Sequence, residues 1–400
     1  MRMGRLMKHS KRIGVVIHHS TSNYGNNLVN YATRSLLEEC GFIVDLVVLQ
    51  THGPSQFAAL KRLPLKLRRL GVGGVIARLL GRLKRRTTVR PPSATDLSAT
   101  ARRQERFAIF IQRYLRPVQI DMRSRSGQME RYSRIGIGSD QIWNYDYGID
   151  GSHFADFIST NNVVTLSPSV GHEVIPAEWV SSYRSWLSGF AEVGTREIEW
   201  TDSLAFGPDM PKFTLLIDPT LMYDREFWES IATVYSDAKG KILLYHLGEM
   251  LPRHSEYVTA LSEHHALDIL HVSDSVGGAP WVTNASDFLG MIQSAACVVT
   301  DSYHGAIFAF LFDKPLILLE RHGFAGAMNT RTRTLTERLH LMGRYMDRLA
   351  IDDALDHDYA PGNEALRNYR LEYWAYLDRN GIQRTGVSDR NHDTTAEVFE

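Results

Sequence analysis

The segment from Cys297 to Leu319 contains one histidine, His304, between two apolar runs. Imidazole can donate or accept a proton near neutral pH, so His304 is a candidate catalytic acid or base. Asp301 and Ser302 precede it and can hydrogen-bond a substrate. The alternative is a structural histidine that bonds the backbone of its own turn.

A second polar cluster occupies the sequence GSDQIWN, from Gly138 to Asn144. Carboxylates and amides hydrogen-bond sugar hydroxyls, and an indole face can stack on a sugar ring. The sequence therefore predicts a catalytic role for Asp140 and substrate binding by Ser139, Gln141, Trp143 and Asn144. The alternative is a capped helix start that contains a buried tryptophan.

A third candidate is the sequence NYGN, which lies between the first predicted strand and the first predicted helix. A helix N-terminus attracts anions, and glycine permits a tight turn there. We therefore expect Asn23, Tyr24 and Gly25 to bind substrate, unless the motif is only a helix cap.

Two arginines are candidates for anion binding, because a guanidinium group fits carboxylate or phosphate. Arg196 follows a predicted strand beside Glu197, and Arg331 enters a predicted helix. Arg196 and Glu197 can equally form a structural pair, and Arg331 can be solvated. The chain has no HExxH or CxxC spacing, so we expect no catalytic metal.

The elements around His304 read as strand, turn, helix and strand, which is typical of a parallel α/β sheet. Val298 to Thr300 forms the first strand, Ala306 to Phe312 the helix and Pro315 to Leu319 the next strand. His304 then follows the carboxyl end of a strand, where open α/β sheets bind ligands.

A similar pattern opens the chain, with a strand at Arg12 to Ile17, a helix at Asn26 to Glu39 and a strand at Phe42 to Leu49. A chain of 400 residues is long enough for two domains. We predict two Rossmann-like domains at residues 1–230 and 231–380, with a basic insertion at 50–100 and a polar tail at 381–400.

Composition restricts the class of protein. Lys and Arg together number 45, as do Asp and Glu, so bulk charge predicts no nucleic-acid partner. Two cysteines in apolar contexts favour a reducing compartment. The early apolar run, Ile13 to Ile17, is too short for a signal peptide. The sequence therefore predicts a cytoplasmic enzyme.

One stretch departs from this balance. Residues 61–90 carry eleven Lys and Arg residues among Leu, Val and Ile, with no acidic residue. A basic amphipathic stretch can bind an anionic membrane surface, and we expect this surface to be the inner face of the cell membrane. The alternative is a solvated insertion whose leucines pack on the domain.

Taken together, these motifs resemble those of the polysaccharide pyruvyl transferase family. They run in the family's order from about residue 13 to 341, and they are NYGNNLVNYA, GSDQIWN, Arg196-Glu197, IDPTLM, DSYHGAIFAFLFDKP and NTRTRTLTERLHL. Some family members have Arg-Leu before the histidine, where this chain has Ser302-Tyr303. Arg331 or Arg196 must then supply the missing cation.

The resemblance implies a GT-B-like fold, in which two facing Rossmann-like domains enclose an interdomain cleft. It implies transfer of a pyruvyl group from phosphoenolpyruvate, without a further cofactor, to a sugar hydroxyl pair of a cell-surface polysaccharide precursor. The product is a ketal, His304 is the acid or base, and the acceptor can be lipid-linked. The rival hypotheses are a nucleotide-sugar-dependent glycosyltransferase of GT-B type and a catalytically silent sugar-binding protein.

Overall fold

The computed structural model describes residues 11–50, 94–121, 128–204, 207, 209–273, 281–321 and 329–385. The basic stretch at 61–90 lies outside the described residues. Of the predicted polar tail at 381–400, only 381–385 are described.

The first half of the chain is built on a five-stranded parallel sheet. Its strands are β1 (Arg12–Val16), β2 (Ile43–Gln50), β3 (Val118–Asp121), β4 (Arg134–Ile137) and β5 (Val163–Thr165). Their order across the sheet is β3-β2-β1-β4-β5, so that the first strand of the chain, β1, lies in the centre, as in the Rossmann fold. All carboxyl ends therefore lie at one edge.

Four helices accompany this half: α1 (Tyr24–Glu39), α2 (Ala94–Phe110), α3 (Ala177–Leu187) and α4 (Arg225–Glu229). Helix α1 begins two residues before the predicted start, because the Asn23 side chain accepts a hydrogen bond from Asn26 N. Its stripe of Leu28, Ala32 and Leu36 is fully buried, as the spacing predicts.

A short parallel pair continues the first half beside β5. It consists of β6 (Glu192–Thr195) and β7 (Lys212–Leu215). Gly194 N in β6 donates a hydrogen bond to Thr165 Oγ1 in β5 at 2.7 Å. The segments that follow β6 and β7 therefore lie near those that follow β4 and β5.

The second half contains a four-stranded parallel sheet in the order β11-β10-β8-β9. The strands are β8 (Ile242–His246), β9 (Ile269–Ser273), β10 (Cys297–Thr300) and β11 (Leu316–Leu318). The accompanying helices are α5 (Pro252–His265), α6 (Ala285–Ser294), α7 (Tyr303–Leu311) and α8 (Asn329–Arg338).

Helix α7 begins three residues before the Ala306 start that apolarity predicts. Ser302 caps it, since its Oγ accepts a hydrogen bond from Gly305 N at 3.2 Å. His304 is therefore not in an open turn but in the first turn of a buried helix.

A last helix, α9 (Ala360–Arg379), returns to the first half. The Tyr376 hydroxyl contacts Thr165 Oγ1 at 2.7 Å and accepts a hydrogen bond from Gly194 N at 3.1 Å. Arg370 Nε donates to the Leu221 carbonyl at 2.7 Å. Helix α9 therefore connects the second half of the chain to the first. The predicted domain boundary at residue 230 stays a prediction.

The two halves also share a hydrophobic core, in which α1 packs against α6 and α7. The Tyr24 ring of α1 stacks on the Phe288 ring of α6 at a centroid distance of 4.7 Å. These two Rossmann-like halves confirm the predicted α/β, GT-B-like fold class. Within the ranges described, no helix combines the length and apolarity that a membrane span requires.

Candidate active site

A cavity of about 350 Å³ lies between the two halves. Six residues predicted from the sequence line it, namely Asn23, Asp140, Gln141, Ser302, His304 and Arg331. The sequence reasoning did not assign the other lining residues to a site, and these are His18, Ser20, Asn26, Tyr147, Leu247, Tyr303 and Arg321. The lining segments follow the carboxyl ends of β1, β4, β8 and β10, where parallel sheets bind ligands.

Asp140 lies at the centre of the charged cluster in a left-handed backbone conformation, with φ of 63°. Its carboxylate accepts a hydrogen bond from Asn26 Nδ2 at 2.9 Å, and one from Arg331 Nη1 at 3.4 Å. Burial by itself raises the pKa of the Asp140 carboxyl, but Arg196, His304 and Arg331 outweigh burial and hold the pKa well below its usual range. Asp140 is therefore an anion at neutral pH.

Asp218 is a second buried carboxylate, at 0 % exposure. It directly follows the apolar run after β7, and its Oδ1 accepts hydrogen bonds from Thr220 N and Thr220 Oγ1. Its Oδ2 lies 2.5 Å from Arg196 Nη2. Burial opposes ionisation, yet Arg196 and His304 lower the pKa of the Asp218 carboxyl to about 2.

His304 bridges this cluster to the second half. Its Nε2 lies 3.5 Å from Asp218 Oδ2, and the side chain is only 9 % exposed. The opposite side of the ring packs on Gly25, because a Cβ at position 25 would lie 2.1 Å from Nδ1. Glycine at position 25 is therefore needed for the present position of the imidazole, which explains the glycine of the NYGN motif.

The two predicted arginines meet at the Tyr303 ring. The guanidinium carbon of Arg196 lies 4.9 Å from the ring centroid, and that of Arg331 lies 5.4 Å from it, which is cation–π geometry. Tyr303 is the residue that stands beside His304 where some family members have leucine. It holds both cations near the histidine, although position 302 carries no arginine.

The charges of the two arginines are balanced differently. Arg196 Nη2 contacts Asp218 Oδ2 and donates to Ser139 Oγ, both at 2.5 Å, and nearby anions raise the pKa of its guanidinium. Arg331 has one long contact to Asp140, and burial lowers the pKa of its guanidinium. Its Nε has no hydrogen-bond partner among the described residues, and the same is true of Nε and Nη1 of Arg196. Arg331 differs from Arg196 in that its ion pair, at 3.4 Å to Asp140, is longer and in that it lines the cavity.

Glu197 holds the loop at residues 169–171 in place by hydrogen bonds. Its Oε1 accepts hydrogen bonds from Ser169 Oγ, Val170 N and Gly171 N at 2.7, 2.7 and 2.9 Å. Burial raises the pKa of the Glu197 carboxyl above its usual range. Arg196 and Glu197 therefore do not form an ion pair with each other. Arg196 pairs with Asp218, whereas Glu197 accepts hydrogen bonds from residues 169–171.

Several predicted substrate-binding residues lie outside the cavity. Trp143 is 0 % exposed, stacks on Phe154 at 4.7 Å, and donates from Nε1 to the His153 carbonyl. Its indole is covered by the core of the first half, so no face is left for a sugar ring. The same segment instead presents Tyr147 to the cavity.

Tyr24 also packs in the core. Its hydroxyl contacts Thr283 Oγ1 at 2.6 Å and accepts a hydrogen bond from Arg103 Nη1 at 2.7 Å. It joins the two halves behind the cavity rather than lining it. Asn144 caps the short helix Tyr145–Tyr147, since its Oδ1 accepts from Asp146 N.

Ser139 and Asp301 lie outside the cavity, as does the predicted Arg196, which bonds to Ser139. Ser139 accepts the hydrogen bond from Arg196 and donates from Oγ to the Ser167 carbonyl. Asp301 accepts hydrogen bonds from Leu247 N and Gly248 N at 2.7 Å, and its Oδ2 lies 3.2 Å from Arg321 Nε. It therefore places two lining residues, Leu247 and Arg321.

Asp218 and Tyr147 are the main residues that sequence reasoning missed. Asp218 had a signal, because an acid directly after an apolar run marks the carboxyl end of a strand. Tyr147 had none, since the sequence does not show which aromatic residue of a segment is left exposed. Among the described residues, no group of three metal-ligating side chains occurs.

The fold and the site together define an α/β protein with two Rossmann-like halves and a charged cavity between them. The family model for polysaccharide pyruvyl transferase matches residues 23–323. The matched segment runs from the start of α1 past Arg321 and contains the NYGN, GSDQIWN and His304 segments. The chain belongs to the polysaccharide pyruvyl transferase family.

Solved structures of similar shape are distant in sequence. A protein assigned as a UDP-N-acetylglucosamine 2-epimerase from Listeria monocytogenes has 10 % identity and a TM-score of 0.43, with 93 % of this chain and 97 % of that chain covered. The glycosyltransferase SnogD from Streptomyces nogalater has 11 % identity and a TM-score of 0.38, with 93 % and 98 % covered. A search of curated proteins gave no match. These likenesses carry no functional conclusion.

The buried Asp218 predicts a specific acid response. Its carboxyl has a pKa of about 2 against an ordinary 3.8, so ionised Asp218 stabilises the fold above about pH 4. This contribution is lost as the pH falls from about 4 through 2. Asp218→Asn leaves Arg196 without its closest anion, and we expect a loss of about 3–5 kcal/mol in unfolding free energy at pH 7.

Urea denaturation at a series of pH values measures both effects. The difference in stability between the wild type and Asp218→Asn should shrink between pH 4 and 2. Asp202→Asn, which changes an exposed acid, is the control. A difference that stays constant over this range would show that Asp218 does not titrate as described.

Proposed function

We propose that this protein transfers a pyruvyl group from phosphoenolpyruvate to two hydroxyls of a sugar in a cell-surface polysaccharide precursor, forming a ketal. The observation that supports this most directly is the shared cavity of His304 and Arg331 between the two halves. Addition to an enol ester needs a proton donor beside cations that hold its carboxylate and phosphate. Membership of the family supports the transferase class.

The donor is held in this proposal by cations of the second half. Arg331 has an unpaired Nε and no closely matched anion, so an anionic ligand lowers the cost of its burial. Arg321 lines the same cavity and supplies a second guanidinium group, which is paired at Nε with Asp301. The carboxylates Asp140 and Asp218 stay ionised and orient Arg331, Arg196 and His304 rather than exchange protons.

The proposed reaction begins when protonated His304 gives its proton to the methylene carbon of phosphoenolpyruvate, which becomes the methyl group. The first sugar hydroxyl adds to the cationic carbon at C2 and loses its proton, which restores the proton of His304. The C–O bond to phosphate then breaks, and the second hydroxyl adds at C2. Its proton leaves with phosphate, so one ketal and one hydrogen phosphate are formed.

The donor can be tested by thermal shift with phosphoenolpyruvate and, separately, UDP-sugars. A ligand at 100 times its Kd stabilises the folded state by about 2.7 kcal/mol. We expect phosphoenolpyruvate to raise the Tm of the wild type but not of Arg331→Ala. Arg333→Ala is the matched control, because Arg333 lies on the same helix with its side chain 47 % exposed.

Each rival hypothesis has its own outcome in this experiment. Stabilisation by a UDP-sugar alone would replace the proposal with a glycosyltransferase. Stabilisation by neither ligand would favour a catalytically silent sugar-binding protein.

His304 can be tested by His304→Ala with phosphate release as the assay. General acid–base groups contribute roughly 10²–10⁴-fold to the rate, so we expect a loss of this size. The Tm rise with phosphoenolpyruvate should persist, because the cations remain in place. His264→Ala, on the surface of α5, is the control. A large fall in the unliganded Tm that parallels the loss of turnover would return His304 to a structural role.

The predicted membrane contact through residues 61–90 remains a proposal, together with a lipid-linked acceptor and a peripheral location at the inner face. Anionic lipid attracts each nearby Lys or Arg by about 1 kcal/mol, and salt screens the attraction. We expect the protein to sediment with anionic liposomes at low salt and to be released as salt rises. Gln substitutions at Arg82, Lys84, Arg85 and Arg86 should abolish binding, and absence of wild-type binding at any salt would refute the contact.

A further inference from the structure

Tyr147 is an exposed aromatic residue in a cavity whose other lining side chains, apart from Leu247 and Tyr303, are polar or charged. Its side chain lines the cavity, and the residue is 50 % exposed. By contrast, the other aromatic residue that lines the cavity, Tyr303, is 6 % exposed and covered by two guanidinium groups. Water contact with a flat apolar ring is unfavourable, so an exposed ring in a ligand cavity suggests a ligand that covers it.

The Tyr147 ring is held in place from two sides. It stacks on the His18 ring at a centroid distance of 5.1 Å and an interplanar angle of 16°. Its hydroxyl donates a hydrogen bond to Gln141 Oε1 at 2.6 Å. Stacking covers one face and the hydrogen bond fixes the tip. The ring is therefore pre-organised, which reduces the entropy lost when a ligand binds.

The walls of the cavity differ in chemistry. The first half contributes Tyr147, uncharged polar side chains such as those of Ser20, Asn23 and Gln141, and the anion Asp140, whereas the cations Arg321 and Arg331 come from the second half. Hydroxyl and amide groups around an aromatic face suit a neutral polyhydroxylated ring, which has an apolar C–H face and a hydroxyl rim. The cationic wall suits the anionic donor.

We propose that Tyr147 is the platform for the acceptor, on which the C–H face of one pyranose ring stacks while its hydroxyl pair points toward His304. Gln141 and His18 act as positioning residues for this ring. The identity of the reaction rests on the proposed function, but the binding of a sugar at Tyr147 does not. This gives Tyr147 the role that the sequence predicted for Trp143.

Binding can be tested without the donor by saturation-transfer NMR on the full chain. The probes are the methyl glycosides of galactose, glucose and mannose. We expect transfer from the wild type to the ring protons of at least one probe. Tyr147→Ala should reduce the signal at least about 2-fold, since an aromatic contact contributes roughly 0.5–1.5 kcal/mol, whereas Tyr147→Phe retains most of it. Tyr114→Ala, which removes a tyrosine ring remote from the cavity, is the control.

Kinetics separates a platform from a purely structural tyrosine. With phosphoenolpyruvate as donor and the glycoside that binds as acceptor, Tyr147→Ala should raise the KM for the glycoside about 3- to 10-fold. The KM for phosphoenolpyruvate should change less than about 2-fold, because the donor contacts the opposite wall.

The outcomes distinguish this proposal from the proposed function. Glycoside binding that depends on Tyr147 supports the platform even if phosphoenolpyruvate neither binds nor reacts, in which case only the proposed reaction fails. Equal NMR signals from the wild type and Tyr147→Ala overturn the platform. The same conclusion follows if none of the three probes binds the wild type, or if the KM of donor and acceptor rise together.

Discussion

The buried ion pair between Asp218 and Arg196 is the interaction on which the site depends. Removing one partner of a buried pair costs about 3–5 kcal/mol, although an apolar replacement of both can be neutral. Stability alone therefore does not explain the pair. The geometry of the pair explains it better, because Arg196 also contacts Ser139 and the Tyr303 ring. Asp218 in turn lies 3.5 Å from Nε2 of His304. One pair thus joins the segments after β4, β7 and β10.

The remaining charges around the cavity are less evenly balanced. Asp140 and Asp218 are ionised, but Arg196 takes up much of their charge, which is why the pKa of its guanidinium is raised. Arg331 lacks a comparable partner, and burial lowers the pKa of its guanidinium. An anionic ligand would remove this imbalance. Within the proposed function, the ion pair orients the histidine, while the less balanced arginine, Arg331, holds the anionic donor.

The sequence predicted those features that depend on local pattern. Buried β-branched runs and turn positions identified the parallel sheets. Polar residues at strand ends led to His304 and Asp140, and an arginine at a predicted helix start led to Arg331. Helix α9 was missed because its tertiary contacts, such as the hydrogen bonds of the Tyr376 hydroxyl to Thr165 and Gly194, are with residues distant along the chain. Tertiary packing also decided which aromatic side chain of the GSDQIWN region is exposed, since the core covers Trp143 but leaves Tyr147 at its edge.

The size of the cavity limits how a polymeric acceptor can bind. About 350 Å³ is near the lower end of ligand pockets, enough for a three-carbon donor and part of one sugar ring. Within the proposed function, only one sugar residue of the acceptor can then approach His304, and the rest of the saccharide must lie outside the cleft. Contacts that fasten the halves together, including Arg106 with Asp287 and Tyr376 with Thr165, oppose wider opening. Selectivity for the acceptor would then depend on the first sugar ring and on the wall that contacts it.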